Sequence, residues 1–251
     1  MNKAAFASAL AAFLLGLSWG TAEARHLKLY SYDVLSHGQT AVTYTYDYVS
    51  GVTGLSGHPN LHEIEIEHGI TNRWTQSIYI DYDVLGGRVS EISALKTEFN
   101  YAFFEKGQYF ADFRLNVEYA KAINNKVDAF DSTNAADTIE FRPIFEKDFD
   151  TFVIVLSPVI VKELSAPNGV PLADWNYGYA NAVMMTVNEH IGVNLEFHGS
   201  TTDDTHYLVP NVDVALGDNM SIGLGVGFGL TRNSDDFTFR ASIVRTFGGS
   251  S

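Results

Sequence analysis

Glu63, Glu65 and Glu67, acidic at every second position, are the residues of this chain whose type and spacing most suggest chemistry. Alternate side chains of a strand share one face, which sets these carboxylates roughly 7 Å apart along a single surface. Such a row repels itself and draws in cations, as charged rings do in pores. Asp47 and Asp81 take the same face on the flanking segments and deepen the negative field. Lys96, Arg114, Arg142 and Arg240 are the cations that the alternation turns the same way. Two expectations therefore stand together: a selectivity wall, and a network of ion pairs across an enclosed space.

Other reactive residue types carry weaker patterns. His198 and Ser200 lie two apart on one face, as a base and nucleophile would, yet no third group stands out to position them. His58, His62 and His68 lie near carboxylates, but their spacing matches no common ligand set, and His68 takes the opposite face from the glutamates. The chain has no cysteine, which removes thiol catalysis, cysteine-bound zinc and disulfides. No catalytic residue, metal or cofactor is expected. A net charge of -14 without clustered Lys and Arg excludes a nucleic-acid binder.

The elements that hold these residues read as strands. Period-two segments fall near 39–49, 61–70, 74–83, 92–104, 108–120, 137–146, 151–162, 174–187, 191–199, 206–216, 220–230 and 237–247. Most have the length of a tilted bilayer crossing, roughly 9 to 11 residues. Their connections alternate between tight (70–73, 105–107, 147–150, 188–190, 217–219) and long (50–60, 84–91, 121–136, 163–173, 200–205, 231–236). That is the arrangement of an outer-membrane barrel whose short turns face the periplasm. In 220–230, Ile222, Leu224, Val226, Phe228 and Leu230 share one face while Gly223, Gly225, Gly227 and Gly229 share the other. The glycine face predicts room in the lumen.

Alternation alone does not tell a barrel from a soluble sandwich, because it leaves open which face is inside. Three further features favour the barrel. Lys3, an apolar run over 4–17 and Ala22-Glu23-Ala24 read as an export signal cleaved before Arg25. The turn lengths alternate strictly. Aromatic residues gather at strand ends: Tyr46, Tyr48, Trp175, Tyr177 and Tyr207 toward the outer rim, and Trp74, Phe149 and Phe247 toward the periplasmic rim. The expected organisation is a signal peptide over 1–24, a periplasmic or plug segment over 25–38, an all-β transmembrane antiparallel barrel of about twelve strands over 39–247, and a flexible tail over 248–251.

Residues 61–75, with Gly69-Ile70-Thr71-Asn72-Arg73-Trp74 at the turn, resemble small outer-membrane barrels. They are most similar to the meta-pathway phenol-degradation outer-membrane family, a resemblance that implies a channel or transporter for hydrophobic or aromatic compounds. The last strand, with Phe239, Ala241, Ile243 and Phe247 on one parity, resembles the signal read by the barrel-assembly machinery, though Gly248, Gly249, Ser250 and Ser251 follow the aromatic residue that is normally terminal. The expected partners are outer-membrane lipid, that machinery and a small-molecule solute. An outer-membrane phospholipase, also a twelve-stranded barrel, offers an enzymatic alternative through His198 and Ser200. The surrounding sequence lacks that enzyme's Ser-Asn-Gly-Arg context, and the pair faces the lumen rather than lipid. A structural or adhesive barrel is the third reading. The expected function is a non-enzymatic channel or uptake protein with a narrow acidic lumen.

Overall fold

A computed structural model describes residues 29–51, 58–85, 89–123, 136–165 and 175–248. The expected signal sequence, residues 25–28, most of the 121–136 loop and residues 249–251 lie outside these. Alternating segments form strands β1 (Thr40–Ser50), β2 (Asn60–Thr71), β3 (Trp74–Leu85), β4 (Val89–Ala102), β5 (Asp112–Ala122), β6 (Asp137–Asp148), β7 (Val153–Leu156), β8 (Pro158–Ser165), β9 (Asn176–Asn188), β10 (Ile191–Ser200), β11 (Thr205–Ala215), β12 (Met220–Gly229) and β13 (Phe237–Phe247). β7 and β8 lie end to end on one register against β9, with Val155 opposite Ala182 and Pro158 opposite Tyr179, and act as one spanning strand. β13 returns to pair antiparallel with β1, Phe247 opposite Thr40 and Phe237 opposite Ser50. The sheet is thereby closed into a twelve-stranded antiparallel barrel.

Burial settles which face is inside. On β3, Ser77 and Tyr79 are buried while Ile78 between them is 56% exposed. Ile64, Ile66, Ile80, Leu95, Phe99, Leu195, Phe197 and Leu224 are likewise turned out, and Asp47, Glu63, Glu65, Glu98, Asn100 and Arg114 are turned in. This is the reverse of a soluble core and fits a wall whose outside meets lipid. Among the described residues no helix is long and apolar enough to cross a membrane. The start of β1 and the end of β13 lie at one rim, shared with the turns after β2, β4, β6, β9 and β11. Trp74, Phe149 and Phe247 are exposed at that rim.

Several local expectations are corrected. The seventh segment is not continuous: it breaks at Ser157, because Pro158 lacks an amide donor. The turn after β4 is longer than three residues, since β4 ends at Ala102 and β5 begins at Asp112. Its aromatics pack against one another and against β5, Phe103 stacked on Phe113 at 4.9 Å and Phe104 edge-on to Tyr109 at 4.5 Å. The link after β3 is shorter than 84–91, as pairing runs out to Leu85 opposite Val89 across a bulge at Asp81/Tyr82. Tyr207 does not join the outer aromatic belt, for it is buried and shares the inward parity of Val209.

The closing strand pair holds a charge pair in its register. Asp47 stands opposite Arg240, whose Nε and Nη2 each donate to the carboxylate at 2.8 Å. Asp47 is only 1% exposed, so removing its partner leaves a buried charge. We predict that Arg240→Leu destabilises the folded barrel by about 3–5 kcal/mol in urea titrations in lipid vesicles, and that Asp47→Asn with Arg240→Gln recovers most of it. A single variant within about 1 kcal/mol of wild type would show that the pair contributes no more than a surface bridge.

Candidate functional site in the barrel lumen

The acidic wall is in place, but it is not bare. Lys96 on β4 reaches Glu63 at 3.0 Å and Asp81 at 2.9 Å. Tyr79 donates its hydroxyl to Glu65 at 2.6 Å, and Thr75 does the same to Glu67 at 2.6 Å. Asp47 is held by Arg240, and Arg142 binds Glu140 through Nε at 2.8 Å and Nη2 at 2.7 Å. Carboxylates taken out of water need such partners, since an unpaired one would carry a large desolvation cost. Parity places every one of these groups; it does not reveal that Tyr79 and Thr75 neutralise the repulsion of neighbouring glutamates through hydrogen bonds.

Arg114 departs from the expected ion-pair network. Its guanidinium binds Asn100 and donates from Nη1 to the carbonyls of Ser31 at 2.9 Å and Asp33 at 2.7 Å. Those carbonyls belong to residues 29–38, which lie inside the wall. Tyr30 donates to Glu98 at 2.6 Å and stacks under Arg142 at 4.5 Å, while the Tyr32 amide donates to Glu146 at 2.8 Å. At the rim that holds Phe247, Lys106 binds Asp33 at 2.8 Å and Glu146 at 3.1 Å. Burial opposes the Lys106 charge, but the two carboxylates outweigh it and hold its pKa above the ordinary lysine value. Gly69 is required where the segment turns, because a Cβ there would strike the Ser36 carbonyl.

The lumen differs from side to side. β1 to β5 present Asp47, Glu63, Glu65, Glu67, Asp81, Lys96, Glu98, Asn100, Arg114 and Asn116. β6 to β9 present Arg142, Glu146 and Asn176 as well, and add Ile144, Val155 and Ala182, which pack around Tyr30. Between residues 29–31 and the wall lies a cavity of about 330 Å³. Glu63, Glu65, Glu196, Asp213 and Arg240 border it, with Asn194, Asn211 and the hydroxyls of Thr43, Thr45 and Ser242. Leu29, Met184 and Val209 give it an apolar edge. Glu196 and Asp213 were open to discovery by inward parity on β10 and β11; only strand closure brings them opposite Glu63 and Glu65.

The glycine face opens less space than the alternation predicts. Gly223 and Gly225 do border the cavity, yet a Cβ at Gly223 would come within 2.6 Å of Ser242 Oγ and 2.9 Å of Asp213 Oδ1. A Cβ at Gly225 would meet Asn211 Cβ at 3.1 Å. Gly227 is buried, and at Gly229 the carbonyl of Asp235 folds in against the strand. These glycines let neighbouring polar side chains lie over the backbone rather than leave the wall empty. His198 and Ser200 both face inward as expected, but His198 Nε2 lies 2.6 Å from Glu196, and Ser200 donates to Asp203 at 2.6 Å. They are committed to different partners. His62 packs outside among Tyr44, Tyr46 and Tyr82, and no group of three or more metal-ligating side chains occurs among the described residues.

No protein-family model matches this chain, and no curated protein sequence does. Solved structures do match. An outer-membrane channel from Pseudomonas putida F1 superposes with a TM-score of 0.64 at 12% identity, over 88% of this chain and 99% of that one. The NanC porin gives 0.57 at 11% identity, over 81% and 98%, and the KdgM porin 0.56 at 11%, over 83% and 99%. At these identities the likeness is one of fold. A closed twelve-stranded barrel, apolar outside and polar inside, is the fold that this chain shares with these outer-membrane channels and porins.

At the rim opposite Phe247, the loop between β12 and β13 folds Asp235 against Tyr207, whose hydroxyl lies 3.4 Å from the carboxylate and accepts the Asp235 amide at 3.1 Å. Burial pushes the Asp235 carboxyl up to about 6, Asp236 adds to the rise, and the Tyr207 hydroxyl opposes it. A carboxyl that is easier to protonate when folded stabilises the loop at low pH, and this contribution is lost as pH rises from the ordinary value of 3.8 through about 6. Amide exchange at residues 234–236, corrected for intrinsic rates, is therefore expected to be slower at pH 5 than at pH 7. Asp235→Asn should remove the difference; a difference that survives the substitution assigns the pH dependence elsewhere.

Proposed function

We propose that this barrel is an outer-membrane channel or uptake protein for small molecules, with a narrow acidic lumen as its route and residues 25–38 as a constriction within it. The observation that carries the reading is the cavity of about 330 Å³ in the barrel, bordered by four carboxylates and one guanidinium. That guanidinium, Arg240, is already matched by Asp47, so the cavity is left negative. Such a lumen favours cations by the field it presents, not by any single ligand. The resemblance carried by residues 61–75 points to small aromatic or hydrophobic compounds instead. A lumen with an acidic wall and an apolar cluster around Tyr30 accommodates both, and suits an organic solute with one charged or polar end and one apolar end. Outer-membrane lipid covers the exterior in this reading, and the strand ending at Phe247 is the signal to the assembly machinery.

Single-channel recording in planar bilayers tests the proposal. Wild type is expected to pass cations in preference to anions, and Glu65→Gln with Glu196→Gln to lower that preference by at least about twofold in a salt-gradient reversal potential. Glu63 is left intact because Lys96 depends on it. Removing residues 25–38 after export should raise conductance. If neither wild type nor the shortened barrel conducts, the channel reading fails.

A further inference from the structure

The lining of the cavity beside residues 29–31 is rich in acceptors and short of donors. Its strongest donors are already engaged. The Arg240 guanidinium turns Nε and Nη2 to Asp47, while the Asn194 side-chain amide donates to Asn211 at 2.7 Å and to Asp213 at 2.6 Å. The Asn211 amide in turn goes to Glu196. A carboxylate offers about four acceptor positions, and Asp213 and Glu196 fill only part of theirs on these amides and on His198. The hydroxyls of Thr43, Thr45 and Ser242 border the same space and have no partner among the described residues. An occupant that completes this lining must bring hydrogen-bond donors with it.

Charge and shape narrow the occupant further. Arg240 is matched by Asp47 and Lys96 stands against Glu63, so the field in the cavity is set by Glu65, Glu196 and Asp213. A cation is favoured there. An inorganic ion finds no cage, because no three metal-ligating side chains converge among the described residues. Leu29, Met184 and Val209 also give an apolar edge that a hydrated ion would not use. A quaternary ammonium is recognised by aromatic faces, and no aromatic ring of the described residues borders the cavity. An ammonium that carries N–H groups suits the acceptors, and an apolar body suits the edge. The volume of about 330 Å³ has room for both, since a dry cavity of about 150 Å³ is enough for a benzene ring.

We propose that the cavity is a binding site for a protonated primary amine on a compact apolar body. Its ammonium faces Asp213 and Glu196, with Glu65 across the cavity, and its body lies against Met184, Val209 and Leu29. The site rests on the channel reading and gives it a solute class: such a cation is retained at a saturable station, not merely drawn in by the field.

Four probes that share one ring test this chemistry: benzylammonium, benzyltrimethylammonium, benzyl alcohol and benzoate. Each is titrated calorimetrically at neutral pH into the whole exported barrel in an uncharged detergent, so binding is read without conduction. Benzylammonium is expected to bind saturably, one per barrel, and the other three at least about tenfold more weakly, because each lacks the charge, the ammonium donors or both. Asp213→Asn can still accept from Asn194, and should weaken benzylammonium by about tenfold while leaving benzyl alcohol unchanged. The probe series on wild type decides the matter even if that variant does not assemble. Equal affinity for benzylammonium and its trimethyl analogue, or no saturable binding by a barrel that conducts cations, overturns the site. Saturable binding of benzylammonium by a barrel that never conducts, even when residues 25–38 are removed, upholds the site and overturns the channel reading instead.

Discussion

A strand that ends in hydrocarbon with unpaired amides and carbonyls has nothing to bond them to, and this constraint governs the whole molecule. The chain meets it by bringing β13 back to β1, so that the first and last strands bond to each other along their full length. Every intervening strand is then paired on both edges, and the sheet has no free side to recruit another chain. Closure also turns the sheet's apolar face outward. In a sandwich that face would be buried against a second sheet, whereas here it is left for lipid and the polar face is enclosed.

Enclosing the polar face creates the second constraint, because charges inside a barrel are shielded from bulk water. The response is pairing across strands that are distant in sequence. Asp47 meets Arg240, Glu63 and Asp81 share Lys96, and Glu98 takes the hydroxyl of Tyr30. Such pairs add little net stability compared with apolar packing, but breaking one leaves a buried charge, so they fix the arrangement firmly. Residues 29–38 are held by the same means: Arg114 grips their carbonyls and Glu146 accepts an amide. The lumen's polarity and its contents are thus one network.

The wall breaks the rule of full pairing where two prolines, Pro143 and Pro158, face each other. The spanning strand made of β7 and β8 tolerates this because its other edge, against β9, stays in register. Inside that place the lumen is mixed, with Arg142 and Ser157 beside Ile144, Val155 and Ala182.

Much of this was legible in the residues. Alternation set the strands and their faces, and parity placed Glu63, Glu65, Glu67, Asp47, Asp81, Arg114, Arg142 and Arg240 on the inner surface, since a strand's side-chain period is fixed by backbone geometry alone. The errors were local ones, where the turn between Ala102 and Asp112 read as the ends of two strands and where Pro158 ended one early. Partnership was not legible, because it depends on neighbours set by closure. Nothing near Asp47 in the chain foretells Arg240, nothing in the glycine run foretells that Ser242 and Asp213 lean over Gly223, and nothing in either proline foretells that they face each other. The sequence by itself determined which way each side chain points; only the closed barrel decided what it meets there, because register across strands is a property of the whole ring.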